Sequence, residues 1–129
     1  MDTEWHDEYA TGHPEIDHDH RTLIGVLAVL SNAYCDADLV DTQIKTLELY
    51  VNVHFAREER LMRQGDFPGL AQHVALHEAF RVNVRRMRAQ WLAGDNPRLR
   101  EEITAELSRW LVAHIQGADR AYIPWLPPT

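Results

Sequence analysis

Histidine occupies the apolar stripe of every long helical segment this chain can form, and no other feature limits its fold so tightly. In the first segment His20, Leu23, Ile24, Leu27, Leu30, Ser31 and Tyr34 recur at steps of three and four, the repeat of one helix face. Ile44, Leu47, Val51, His54, Glu58 and Leu61 mark the second in the same way. The third carries His73, His77, Phe80, Val84, Met87 and Trp91, and the fourth Ile103, Leu107, Trp110 and His114. Imidazoles and a carboxylate on core-facing stripes lose their hydration, a cost of several kcal/mol unless something replaces it. A metal ion replaces it for all of them at once.

Breaks between the stripes set the architecture. Gly12-His13-Pro14 closes an N-terminal arm, here taken as residues 1–16. Gly65-Asp66-Phe67-Pro68-Gly69 and Gly94-Asp95-Asn96-Pro97 interrupt the chain further on, residues 36–41 form a weaker boundary, and the tail 124–129 is too rich in proline to continue a helix. Helices are therefore expected over about 17–36, 40–64, 70–93 and 97–118. Asp17 reads as the cap of the first, Gly65 as a positive-φ stop for the second, and Asn96 before Pro97 as the cap of the fourth. No internal repeat, low-complexity tract or useful strand alternation is present. The expected fold is all-α, one domain over 1–129, an antiparallel up-down-up-down four-helix bundle with an N-terminal arm. A tripartite coiled coil or the helical half of a dimer are the alternatives.

Composition narrows the class of function. A chain of 129 residues with 45% hydrophobic and 26% charged residues folds around one core, which excludes wholesale disorder. Its formal charge of −7 is a poor match for a phosphate backbone, so nucleic acid is not an expected partner. Cys35 is the single cysteine, which excludes an internal disulfide and a cysteine-based zinc site; it reads as a lone thiol at the end of the first helix. Charges interrupt every apolar run before it reaches membrane-spanning length. The acidic start lacks a secretory signal's basic and apolar regions, so the expected compartment is the cytoplasm.

Spacing groups the polar stripe residues. His73 and His77 are four apart, about 40° round a helix, so both rings project to one side. His54 and Glu58 share that relation. One such pair is weak evidence, since most are solvated or satisfied within a core; convergence from four helices is much stronger. His114 and Asp119 are five apart, about 140° on a regular helix. They reach one site only if the helix loosens between them, where Gly117 would tolerate a wider turn. Spacing alone leaves Asp119 equally readable as a surface residue near a frayed terminus.

The chain also resembles the hemerythrin family, specifically its single-domain bacterial members. Residues 5–12 resemble the family's arm, and Ile16-Asp17-His18-Asp19-His20 matches I-D-x-x-H. His54-Phe55-Ala56-Arg57-Glu58-Glu59 matches H-F-x-x-E-E, followed by Met62. Phe67-Pro68-Gly69 with His73, His77 and Phe80 matches the third-helix pattern, although tyrosine is commoner at Phe67. Trp110-Leu111-Val112-Ala113-His114-Ile115 with Asp119 matches W-L-x-x-H-I-x-x-x-D. The resemblance implies two iron ions joined by an oxo or hydroxo bridge. His73, His77 and His114 would bind one ion, His20 and His54 the other, with Glu58 and Asp119 bridging. Two octahedra so filled keep one open position, on the ion with two histidines, and the implied activity is reversible dioxygen binding.

By the same resemblance Leu23, Phe55, Trp110, Leu111 and Ile115 line a dry dioxygen pocket, with Leu111 the first choice for its gate; as ordinary core residues they would look alike. His13, Tyr9 and His18 depart from the family's usual residues. His13 or Tyr9 would be an extra donor or, as the favoured reading has it, part of a solvent-facing arm that includes His6. Glu59 reads as a surface carboxylate or one just behind the ligands, and Tyr122 as approaching the bridge or packing the tail. The leading function is dioxygen carriage, storage or delivery. The alternatives are a di-iron oxidase or peroxidase consuming dioxygen, peroxide or nitric oxide, or a sensor acting through a protein partner. The helices and arm use up the chain, so no fused signalling domain is expected. Zinc alone fits a set of this size poorly, whereas the ligand types also suit manganese.

Overall fold

The three-to-four periodicity becomes four long helices: α1 (Pro14–Leu30), α2 (Ala37–Gln64), α3 (Leu70–Ala93) and α4 (Pro97–Ala113). The computed structural model describes residues 5–31, 37–94 and 97–126, and within them not the side chains at 37, 97, 118 and 119. The expectations for Tyr34, Cys35, the Asn96 cap and the Asp119 carboxylate lie outside the described residues. Among the described residues there is no strand. α1 packs on α2, α2 on α3, α3 on α4, and α4 closes the ring against α1. Helices that pack on their sequence neighbours across so few intervening residues run antiparallel, giving the four-helix bundle. No described helix is long and apolar enough to cross a membrane.

The helix ends show where local rules gave way to tertiary contacts. α1 starts at Pro14, whose fixed φ suits a first helical position, and His13 stands at the cap without a side-chain bond. Asp17 is therefore not the cap. Its carboxylate accepts hydrogen bonds from Thr11 N at 2.7 Å, Thr11 Oγ1 at 2.8 Å and Gly12 N at 3.3 Å, tying the arm to the bundle. At the end of α2 the left-handed residue is Asp66, with φ 54°, rather than Gly65. Phe67 N bonds Met62 O and Asp66 N bonds Arg63 O, the paired pattern that satisfies terminal carbonyls. Gly65 is needed for another reason: a Cβ there would lie 1.7 Å from the Trp125 carbonyl oxygen.

Two apolar clusters fill the interior. The larger joins Leu23, Leu27, Ile44, Leu47, Phe55, Phe80, Leu107, Leu111 and Ile115, among others. The smaller joins Ile16, Leu61, Met62 and Tyr122, with Phe67, Leu70 and Leu126 against it. Along the chain the polar stripe residues fall between one cluster and the other: His20 between Ile16 and Leu23, His54 and Glu58 between Val51 and Leu61, and His73 and His77 between Leu70 and Phe80. A polar layer is thus enclosed at both ends by hydrocarbon.

Beyond Ala113 the last helix changes pitch. A π-helical stretch covers His114–Ala118, followed by one α-turn at Asp119–Ala121 and a 3-10 turn at Ile123–Trp125. The short turn Asp7–Tyr9 of the arm packs on that π-helical stretch.

Candidate metal centre

The polar layer resolves into two groups of potential ligands. His73, His77, His114 and Glu58 form one, and His20, His54 and Glu58 the other; within each group the candidate ligand atoms all lie within 4.8 Å of one another. Glu58 belongs to both and is fully buried. The structure thus brings together six residues that the stripes singled out. For Asp119 only the backbone is described. The π-helical stretch widens the turn after His114, which carries a residue five positions on towards the same side of the helix. Gly117 lies within it, but its φ is outside the left-handed region and a Cβ there would meet nothing within 4 Å, so neither conformation nor space demands a glycine.

Distances within the layer show how it is held. His54 Nε2 lies 2.7 Å from Glu58 Oε1 and 3.1 Å from His20 Nε2. His77 Nε2 lies 3.5 Å from Glu58 Oε1, and His73 Nε2 3.8 Å from Glu58 Oε2. The Tyr122 hydroxyl donates to Glu58 Oε2 at 2.5 Å. Two rings are clamped by stacking: Phe55 lies parallel to His77 with centroids 3.7 Å apart, and Trp110 lies on His114 at 4.4 Å. Such contacts restrict ring rotation and are each worth about 0.5–1.5 kcal/mol beyond the area they bury.

Burial pushes the His77 imidazole below its ordinary value of 6.5; Glu58 opposes that shift, while His73 and His114 reinforce it. The ring is therefore held neutral, the form that binds a metal. The sign for stability follows. In the unfolded chain His77 takes up its proton near 6.5, whereas the folded chain resists, so stability is intact above that value and falls as the pH drops below it. In the metal-free protein, the urea midpoint is expected to be lower at about pH 5 than at about pH 7.5. His77→Gln should flatten that dependence.

The donor set fits a metal. His54 Nε2 lies at contact distance from both His20 Nε2 and Glu58 Oε1, and lone pairs so close require a proton or a cation among them. Among the described residues the nearest carboxylate oxygen to fully buried His77 Nε2 is Glu58 Oε1 at 3.5 Å, a long and weak contact for a buried imidazole. Nitrogen-rich sites with shared carboxylate suit first-row transition metals.

A family model for the hemerythrin HHE cation-binding domain matches residues 11–126. The chain belongs to the hemerythrin family. Its hemerythrin relatives include a bacteriohemerythrin of Stenotrophomonas maltophilia, 36% identical over 92% of this chain and 77% of the relative. A bacteriohemerythrin of Pseudomonas aeruginosa is 31% identical over 92% and 78%. The myohemerythrin of Riftia pachyptila is 29% identical over 92% and 88%. A crystal structure of a hemerythrin point mutant superposes with a TM-score of 0.84 over 95% of each chain, at 24% identity.

Not every residue of this hemerythrin-family layer was legible beforehand. Tyr122, readable either way from sequence, both packs in the smaller cluster and touches Glu58. Asp19 was missed: it accepts from His54 Nδ1 at 2.9 Å. It lies beside His20 in sequence, off the apolar stripe, and periodicity gives no sign of a partner on another helix. The solvent-facing reading of the arm is corrected for two residues. His13 and Tyr9 are buried, because the arm is strapped down through Asp17, but neither joins a ligand group; His6 and His18 are exposed. Leu23, Phe55, Leu111 and Ile115 are buried in the larger cluster, and half-buried Trp110 packs against it.

Proposed function

We propose that this chain binds dioxygen reversibly at a non-haem centre of two iron ions, for carriage, storage or local delivery. The observation that carries this reading is the buried Glu58 carboxylate, shared among the described residues by a three-histidine and a two-histidine group. His73, His77 and His114 would hold one ion and His20 and His54 the other, with Glu58 and Asp119 as the carboxylates that would serve both. The unequal sharing leaves the two-histidine side with fewer protein donors, and there a small exogenous ligand would complete the coordination. When bound, the iron pair supplies the open position and the electrons on which dioxygen binding draws.

The chain's own residues decide whether that binding reverses. Neutral imidazoles dominate the donors and add little anionic charge, which favours a site that stops short of cleaving the O–O bond. Phe55 and Trp110 fix the rings of His77 and His114 by stacking. Tyr122 holds a proton at its hydroxyl, directed to Glu58 Oε2, and so restrains the shared carboxylate. Leu23, Leu111 and Ile115 exclude water and protons, which would otherwise strand the irons as ferric. Leu111→Ser is expected to speed autoxidation about tenfold or more, read as loss of the oxygenated absorption band in air; an unchanged rate would remove Leu111 from the pocket.

Stopped-flow mixing of the reduced, iron-loaded protein with dioxygen tests the function itself. A long-lived visible charge-transfer band that disappears on deoxygenation is the expected result. Rapid conversion to the ferric form would instead support an oxidase or peroxidase. An iron content below two per chain would remove the basis for either.

A further inference from the structure

We infer that Asp19 sets the donor strength of His54, and that Arg57 acts as the counterweight to Asp19, so that the two-histidine position is tuned by a charge pair outside the ligand set. The inference rests on the two-ion reading above and concerns residues that reading leaves without a role. Asp19 is buried, and its Oδ2 lies 2.9 Å from His54 Nδ1 and 3.1 Å from Arg57 Nε. Arg57 reaches on to pair with Glu15 through its other nitrogen. His54 and Arg57 both project from α2, Asp19 and Glu15 from α1, so the couple also pins the two helices that supply this position.

The chemistry follows from what a carboxylate can do. It only accepts, so the shared proton belongs on His54 Nδ1, and Nε2 is left to face His20 and Glu58. A negative charge behind an imidazole raises the basicity of its far nitrogen and fixes the ring's orientation, and losing such a partner costs about 10–100-fold in metal affinity. Arg57 draws on the same oxygen, so it withdraws part of that charge. His77, in the other group, is treated differently. His77 Nδ1 has Glu59 at 3.9 Å, beyond hydrogen-bonding distance, and an aromatic ring on its face. Donation by a charged partner at His54 against stacking at His77 makes these two ligands unequal in donor strength.

Asp19 is thus a positioning residue, and opposite signs distinguish it from a structural brace. Asp19→Asn keeps an oxygen to accept from Nδ1 and removes only the charge; Arg57→Gln removes the counter-charge. The fully ferrous protein is challenged anaerobically with a ferrous chelator, iron release is followed by the chelate's absorbance, and the ferric/ferrous midpoint potential is measured alongside. Wild type is expected to release two ions in separate phases. Asp19→Asn should hasten one phase about 10–100-fold, leave the other, and raise the potential; Arg57→Gln should slow that same phase and lower the potential. Release that is unchanged in Asp19→Asn, or both variants weakening both ions together with a fall in the metal-free melting temperature, would overturn the inference. A wild type holding fewer than two ions would instead overturn the two-ion reading itself.

Discussion

Glu58→Gln protein is expected to hold at most one iron per chain and to lose the dioxygen-dependent absorption band. Glu58 is the one described residue common to both ligand groups, it is fully buried, and its two oxygens point different ways. Oε1 lies towards His54 and His77, and Oε2 towards His73 and the Tyr122 hydroxyl. Glutamine preserves shape and volume but offers one oxygen and an amide nitrogen that has no lone pair for a metal, so it can serve one ion and not two. The loss should exceed that from a terminal ligand. His20→Ala removes a donor from the two-histidine group only, and should leave the three-histidine position loaded. Iron determination with the absorption spectrum, before and after dithionite and air, measures both outcomes. Glu58→Gln protein that still holds two irons would show that the groups are joined by something else.

The bundle and its polar layer were legible because burial writes itself into period. A histidine at position 54 between Val51 and Leu61 can only face inward if the helix is regular, and α2 is. The loosened turn after His114 was legible as a condition, since a five-residue interval cannot keep one face without it, and the π-helical stretch lies in that interval. What sequence did not show depends on contacts between distant segments. Gly65 looks like a helix stop, yet its missing side chain admits the Trp125 carbonyl, while Asp66 takes the left-handed conformation. Asp17 looks like a cap and instead fastens Thr11 and Gly12. Asp19 carries no periodic signal at all, because its partner sits 35 residues away on another helix. Local rules identify which residues face the core; they do not say which neighbours meet there.

Metal removal is expected to lower the melting temperature by about 15 °C or more, and ferrous iron added back without oxygen should restore it. The magnitude follows from linkage: a ligand that binds only the folded chain stabilises it by about 2.7 kcal/mol at a hundred times its dissociation constant and about 4.1 kcal/mol at a thousand times, for each site. The sign follows from the layer. Imidazoles and a carboxylate lie between two apolar clusters, where desolvation is not returned by water, and metal-free histidines must share protons at 2.7 to 3.1 Å. Calorimetry of chelator-treated and reloaded protein makes the comparison; a difference under about 3 °C would mean that the bundle does not use the metal to hold this layer. A second comparison separates metal binding from packing. Replacing His20, His54 and Glu58 together by leucine, with Tyr122→Phe so that its hydroxyl is not left without Glu58, removes one group and the shared carboxylate, while Asp19 keeps its pairing with Arg57. Buried polar clusters exchanged for apolar groups of similar volume are often neutral or stabilising. The metal-free variant should therefore melt no lower than the metal-free parent, while adding iron should move its transition far less. The layer is then a cost that the fold bears for its ligands, and the metal offsets it.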